Sequence, residues 1–462
     1  MADFSIIIEK LRAIVGRENV LAEQEDLISL SYDGTPLHEQ LPICAVSPRN
    51  KDDIIKIVRL ANRDNFSIVP RGTGTGLSGG SIPGNNSIVL QLHHWDQILE
   101  IDEKNLTATI QPGVITQNLH SAVEKRGLFY PPDPGSMKIC TIGGNVAENS
   151  GGLRGLKYGV TSDYVMGIEA VLPDGDWVKL GNKCVKNVAG INMKDLFIGS
   201  EGILGIITQI LLKLIPKPKD QKTMLAFFNK IEDAGETVSA IIAEKIIPCT
   251  LEFLDQTTIR CVEDFTKIGL PTACEALLLI EVDGFPDVVA HDAQRIIEIC
   301  NKHNATEVKF AETDTEAERL KTARRSAFTA LARLKPTTIL EDATVPRDKV
   351  ASMLRQIQTI AKKYELQFGT FGHAGDGNLH PTCLTDERNK DEMQRVEMAF
   401  EEIFEAALKM GGTITGEHGI GIAKKGFLAK FEPPANMKLM RQIKKTLDPN
   451  NILNPGKVFD QI

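Results

Sequence analysis

A chain of 462 residues exceeds what one hydrophobic core usually supports, so two or more domains are expected. Apolar residues make up 42% and aromatics 5%, a globular balance that excludes a disordered chain. The formal charge of −8, from 53 basic against 61 acidic residues, speaks against nucleic acid as the principal partner.

At the N-terminus Asp3 precedes the first apolar residues without a basic region, so no signal peptide is expected. The most apolar long stretch, Ile203 to Ile215, holds Lys213 and is too short to span a bilayer. Cys44, Cys140, Cys184, Cys249, Cys261, Cys274, Cys300 and Cys383 are scattered with no C-x-x-C pair. Reduced, mostly buried thiols in a cytoplasmic protein are expected, and no iron–sulfur cluster. Electrons from any redox chemistry would leave through another protein or a diffusible acceptor, and membrane attachment would be peripheral, through a partner.

Ile6, Ile7, Leu11, Ile14 and Val15 fit one face of a helix that stops at Gly16. Asn50 suits the cap of a second helix, with Ile54, Ile57, Val58 and Ala61 on its buried face. A strand over Phe66 to Val69 then enters Pro70-Arg71-Gly72-Thr73-Gly74-Thr75-Gly76-Leu77-Ser78-Gly79-Gly80. Residues 74–79 match G-x-G-x-x-G, but Gly80, Pro83 and Gly84 follow where a dinucleotide-binding turn needs a helix. A nicotinamide site is therefore disfavoured. A long glycine loop can still wrap a pyrophosphate through its N–H groups as an anion-binding nest, a plain structural turn being the alternative. Pro131 to Ser136, Thr141 to Gly152 and Gly199 to Ile207 are glycine-rich as well, so backbone approaches something closely at several points.

At these residues the sequence resembles the vanillyl-alcohol-oxidase-type, or PCMH-type, FAD family. The resemblance implies that Pro70, Gly72, Thr73, Gly74, Thr75, Gly76 and Ser78 hold the FAD pyrophosphate. It implies that Pro134, Gly135, Thr141, Gly143, Gly144, Asn149, Gly152 and Tyr158, then Glu201, Gly205, Ile206, Ile207 and Asn454, complete the cofactor site. Some members attach FAD through His or Cys near the first loop. Gly72 to Gly80 contains neither, so dissociable FAD is expected.

After Pro216 the texture changes to two β-α-β rounds, built from strands near Thr223–Phe228, Thr250–Leu254, Ala276–Val282 and Glu307–Ala311. They suggest a ferredoxin-like sheet with helices on one side. The last clear helix carries Val396, Phe400, Ile403, Ala407 and Met410 and ends at Gly411-Gly412. Before it lies Phe371-Gly372-His373-Ala374-Gly375-Asp376-Gly377-Asn378-Leu379-His380. A two-residue turn at Asp376-Gly377 would set His373 opposite His380, with Cβ atoms roughly 5 Å apart, suited to a divalent metal. Thr415-Gly416-Glu417-His418-Gly419 supplies a third ligand, Glu417, while His418, pointing away on extended backbone, stays free as a base. On these residues alone a metal-dependent hydrolase with structural glycine loops, or a flavin-binding subunit without substrate, remains open.

Together the hairpin and this segment resemble the branch that contains glycolate oxidase flavoprotein subunits and D-lactate and D-2-hydroxyglutarate dehydrogenases. That resemblance implies zinc or a similar cation on His373, His380 and Glu417, His418 as catalytic base, and Arg324 as the grip on the substrate carboxylate. Phe328, Leu340 and Thr382 bring no second positive charge, which favours D-lactate or glycolate over hydroxyglutarate. The expected whole is α+β: a helical segment at 1–35, a PCMH-type FAD-binding domain at 36–217, a ferredoxin-like antiparallel-sheet cap at 218–415 and a C-terminal segment at 416–462 returning to the FAD domain. Its expected acceptor is an iron–sulfur subunit, an electron-transferring flavoprotein or a quinone.

Overall fold

The computed structural model describes residues 4–460. The helix Ser5–Val15 ends at Gly16, whose φ of +93° is open to glycine and costly for other residues. Asn50 caps Lys51–Asp64 by accepting the Asp53 N–H at 3.0 Å. The buried stripe of that helix packs on a four-stranded sheet ordered Val20–Leu21, Ala45–Val46, Ser87–Gln91, Ser67–Arg71. The last two strands run parallel, yet only the glycine loop joins them and no helix opens within it. A five-stranded antiparallel sheet follows, ordered Ile98–Asp102, Thr107–Ile110, Ile206–Lys213, Val165–Val171, Trp177–Gly181. Its core takes in the helices Thr116–Glu124 and Ile142–Glu148.

The cap is an eight-stranded sheet whose first four strands run Ala305–Phe310, Asp220–Phe228, Ala276–Gly284, Thr250–Asp255, the ferredoxin-like order. Gln367–His373, Asn378–Thr385 and Thr337–Leu340 extend it, and Ala343–Thr344 pairs with Asn378–Thr385. Its helices are not on one side. Met224, Ala226 and Phe228 face a core shared with Ile231–Ala243, Pro286–Lys302 and Val350–Lys363. Leu225 and Phe227 face a second core under Gln256–Thr266, Asp314–Arg325 and Ala327–Leu331. Strands buried on both faces read as unbroken apolar runs, as in Ala276–Ile280, so both faces need covering.

Two helices, Lys425–Phe431 and Pro434–Leu447, follow Lys390–Lys409, which is therefore not the last. Lys425–Phe431 fully buries no side chain, and Pro434–Leu447 fully buries Met437 and Lys444. Beyond them the chain returns to the first sheet, where Leu453 bridges Ile68. The buried Lys444 ammonium ties this return down by donating to the carbonyls of Ile203 and Leu453, both at 2.8 Å. All eight cysteines are free, and Cys184 alone among them is exposed. No helix among the described residues is long and apolar enough to cross a membrane.

Buried His120 sits 2.9 Å from the Pro132 carbonyl, and burial pushes its pKa down to about 4. In the unfolded chain it titrates near 6.5, so that state takes up the proton first. The associated stability is complete above pH 6.5 and is lost as pH falls toward 4. The urea midpoint should fall between pH 7 and 4.5, and less steeply in His120→Gln; equal slopes would remove His120 from the account.

Candidate active site

Three glycine-containing segments surround one cavity of about 580 Å³. Pro70, Gly72, Thr73, Gly74, Thr75 and Gly76 form one wall. Pro134, Gly135, Thr141, Gly143 and Gly144 form another, and Glu201, Gly205 and Ile207 a third. A Cβ on Gly72 would run into the Thr141 hydroxyl, and one on Gly143 would lie 2.6 Å from Pro112 Cβ, so both positions demand glycine. The N–H groups of Thr73, Gly74, Thr75 and Gly76 donate to no acceptor among the described residues. Free donors on a glycine loop fit a pyrophosphate, and the depth fits an extended cofactor.

Six residues expected at the cofactor stand off this cavity. Ser78 donates to the His418 carbonyl at 2.5 Å, and Asn454 Nδ2 to the carbonyls of Gly80 and Glu201. Asn149 accepts the Ser162 N–H, and Gly152, at φ +146°, packs against Asp133. Ile206 is buried in the core under the first sheet. The Tyr158 hydroxyl donates to Asp283 of the cap at 2.8 Å. These residues shape the walls or join the domains; their side chains do not form the lining.

Arg324, His373, His380, Glu417 and His418 line the same cavity. The hairpin is not the expected two-residue turn. Ala374–Asp376 forms a 3-10 turn with Gly377 at φ +81°, so His373 pairs with Asn378 and His380 with Phe371. The extra turn residues move the register, and the two imidazoles meet diagonally on one face, ring centroids 5.3 Å apart. Glu417 Oε1 lies 3.1 Å from His373 Nε2 and 3.4 Å from His380 Nε2. Three ligand atoms within 4.8 Å of one another, two imidazoles and a carboxylate, suit a divalent cation. Burial opposes both charges, yet Glu252 and Glu417 hold His373 well above the usual imidazole range, and His373 and His380 hold Glu417 well below the carboxylate range.

His418 does not point away from Glu417. Its ring stacks on His380 at 5.0 Å, with Nε2 3.8 Å from Glu417 Oε1. The cause is Asp342: its Oδ2 accepts the N–H groups of Gly416, Glu417 and His418 at 2.8, 2.9 and 3.0 Å, and the Thr415 hydroxyl at 2.7 Å. Successive N–H groups that converge on one oxygen cannot belong to extended backbone, so alternation fails. Burial pushes the His418 imidazole down to about 4, leaving it neutral and able to accept a proton.

Asp342 and Glu252 escaped the sequence reading. Glu252 Oε1 is 2.7 Å from His373 Nδ1, and Oε2 is 2.6 Å from Arg324 Nη2. The Arg324 guanidinium stacks over Phe371, 4.8 Å from the ring centroid. Its Nε and Nη2 make no aligned hydrogen bond, which leaves donors unspent at the wall. The available signal for Glu252 was a carboxylate inside the apolar strand Thr250–Leu254, where a buried charge needs a partner. Phe328 and Leu340 line the cavity; Thr382 is buried elsewhere in the sheet.

The sequence matches the FAD binding domain family over residues 42–181 and the family of FAD linked oxidases, C-terminal domain, over 217–458. It is 56% identical to glycolate oxidase subunit GlcD of Bacillus subtilis (strain 168) over 98% of this chain and 96% of that one. It is 37% identical to the same-named subunit of Escherichia coli (strain K12), over 98% and 91%. It is 34% identical to D-lactate dehydrogenase of Anaerostipes hadrus, over 98% and 97%. The structure of p-cresol methylhydroxylase with substrate bound shares the fold, with a TM-score of 0.79 at 19% identity over 98% of this chain and 96% of that one. The chain belongs to the FAD-linked oxidases, and it is an oxidoreductase, which removes both the hydrolase and the non-catalytic subunit readings.

Two substitutions separate scaffold from site. Gly72→Val should abolish the flavin absorbance of the purified protein, since its side chain enters the loop's packing. Asp342→Asn should retain flavin but lose at least ~100-fold in kcat, because the amide keeps one acceptor oxygen but removes the negative charge that holds four converging donors together. Near-normal turnover in Asp342→Asn would detach the loop's shape from catalysis.

Proposed function

We propose that this enzyme oxidises a short 2-hydroxy acid, D-lactate or glycolate, to the 2-oxo acid. The observation that carries the reading is the convergence of Arg324, a His373–His380–Glu417 cluster and a neutral His418 on the cavity that the glycine loop opens into. When bound, FAD would supply a two-electron acceptor for the hydride of the substrate C–H bond, and a divalent cation, zinc or a similar ion, held by His373, His380 and Glu417 would supply Lewis acidity toward the hydroxyl.

The chain's own residues orient and deprotonate. Arg324, seated over Phe371, presents a planar fork to the carboxylate. His373, His380 and Glu417 bring Nε2, Nε2 and Oε1 close together and would hold the cation that orients the substrate hydroxyl. His418 Nε2 takes the hydroxyl proton, a role contributing about 10²–10⁴-fold. Phe328, Leu340 and Phe371 keep the neighbouring wall apolar. Arg325 also reaches the cavity, but its guanidinium hydrogen-bonds two carboxylates, Asp133 through Nη2 at 3.0 Å and Glu318 through Nη1 at 3.4 Å, a double compensation that Arg324, paired with Glu252, lacks. That compensation favours a monocarboxylate over D-2-hydroxyglutarate, the alternative substrate.

The expected cofactor residues other than the six off the cavity are assigned to FAD, held non-covalently. Cys140, the cysteine among the lining residues, supports this, since its thiol contacts the Thr116 hydroxyl at 3.3 Å and burial raises its pKa. Electrons would pass to an iron–sulfur subunit, an electron-transferring flavoprotein or a quinone, as the absence of any C-x-x-C pair suggests. We assign residues 36–217 to the FAD domain, 218–415 to the cap and 416–462 to the returning segment, with a cytoplasmic location.

Anaerobic addition of D-lactate or glycolate should bleach the flavin band of the wild-type enzyme. His418→Asn should keep the band and bleach ~10²–10⁴-fold more slowly. A band that no 2-hydroxy acid bleaches would sink the substrate assignment.

A further inference from the structure

The cation cluster and the carboxylate grip are physically joined, and the joint is Glu252. Its side chain is fully buried in the strand Thr250–Asp255. Phe253 pairs with Gly372 and Leu254 with Phe371, and this register continued by one step sets Glu252 beside His373. One carboxylate oxygen meets His373 Nδ1 at 2.7 Å and the other meets Arg324 Nη2 at 2.6 Å.

We propose that Glu252 is a positioning residue that serves both subsites at once, fixing the ligand tautomer of His373 and the orientation of Arg324. The inference rests on the cation and carboxylate assignments above. Accepting from His373 Nδ1–H leaves Nε2 as the lone-pair atom, the atom that faces Glu417 and His380. The same carboxylate compensates the buried guanidinium, which would otherwise stand as an uncompensated charge in the wall. Both tasks need an acceptor oxygen, and one carboxylate has two. An amide has one. In Glu252→Gln the oxygen either turns to Arg324, putting an N–H₂ group against His373 and inverting its tautomer, or stays on His373 and sets a donor against a cation. One subsite must fail.

The two subsites are therefore coupled through a group that touches neither substrate nor cation. Disturbing Arg324 should be felt at the cluster, although Arg324 carries no ligand atom for it.

The test uses the FAD-loaded enzyme, stripped with a chelator and titrated with Zn²⁺ against a competing indicator, alongside the KM for glycolate at saturating zinc. A buried guanidinium set against an amide N–H₂ would stand as an uncompensated charge, so the single amide oxygen of the variant should follow Arg324. Glu252→Gln should then raise the zinc Kd about 10–100-fold while keeping its flavin spectrum. A raised KM with an unchanged zinc Kd would equally mark a shared carboxylate with the amide in the other orientation. Unchanged zinc Kd and KM together would overturn the proposal. Should that variant not fold, Arg324→Lys serves from the opposite end: its zinc Kd should shift about threefold or more, and an unmoved value would overturn the coupling. Wild-type enzyme that binds no zinc would overturn the cation assignment itself, a failure distinct from one confined to Glu252.

Discussion

One carboxylate oxygen organises the reactive end of this enzyme. Asp342 Oδ2 gathers three successive backbone N–H groups and a hydroxyl from Thr415–His418. Burial alone would raise its pKa, but the His418 imidazole and the Lys424 ammonium outweigh that and hold it well below the carboxylate range. An anion so buried is tolerated because each donor it collects is worth more in a low dielectric than in water. The consequence is geometric. Glu417 and His418, adjacent in sequence, both open onto the cavity, with the His418 ring against His380. An imidazole thus stands beside the His373–His380–Glu417 cluster, the juxtaposition that the proposed proton transfer requires.

The loop so shaped must also meet the cofactor domain, and a second buried carboxylate supplies that contact. Glu201 accepts the N–H groups of Ile420 and Gly421 at 2.7 and 2.6 Å, only a few residues beyond the Asp342 nest. Glu201 belongs to the glycine-rich turn before Ile206–Lys213, so the turn that walls the cavity also pins the catalytic segment. Ser78 reaches the same segment from the first glycine loop through the His418 carbonyl. The site therefore exists only when the C-terminal segment is seated on the first domain, and the buried Lys444 ammonium is one of its fastenings.

Much of this was legible because strong local rules and the global fold agree. Gly16, Asn50 and the apolar stripe of Lys51–Asp64 each point one way, and the structure obeys them. The four ferredoxin-order strands were legible for the same reason. Misread positions share a different cause. The turn at Ala374–Gly377, the bent backbone at Glu417–His418 and the second helical layer on the cap are each decided by tertiary partners. For the second of these the partner is Asp342, 75 positions before Glu417. Glu252 lies 121 positions from His373. No window of sequence contains such a pair, so a lone carboxylate in a strand announces only that some partner exists. Tyr158 was drawn into the cofactor list by resemblance; the Asp283 contact that orients it comes from another domain.

The two halves of the cavity differ in kind. From the first domain it receives mostly backbone: glycines at 72, 74, 76, 135, 143 and 144, with the N–H groups of Thr73 to Gly76 meeting no acceptor among the described residues. From the cap and the C-terminal segment it receives side chains that titrate or carry charge, Arg324, His373, His380, Glu417 and His418. Backbone recognition asks for conformation rather than side-chain identity, so it survives extensive sequence change. Side-chain chemistry does not. A protein 19% identical can therefore share the fold at a TM-score of 0.79 while nothing about its substrate carries over. What distinguishes this chain within such a fold is the second set, and that set depends on two buried carboxylates, Asp342 and Glu252, that form hydrogen bonds or ion pairs with it. A change of one acceptor atom in this layer behind the cavity surface would thus alter the direction of several groups at once.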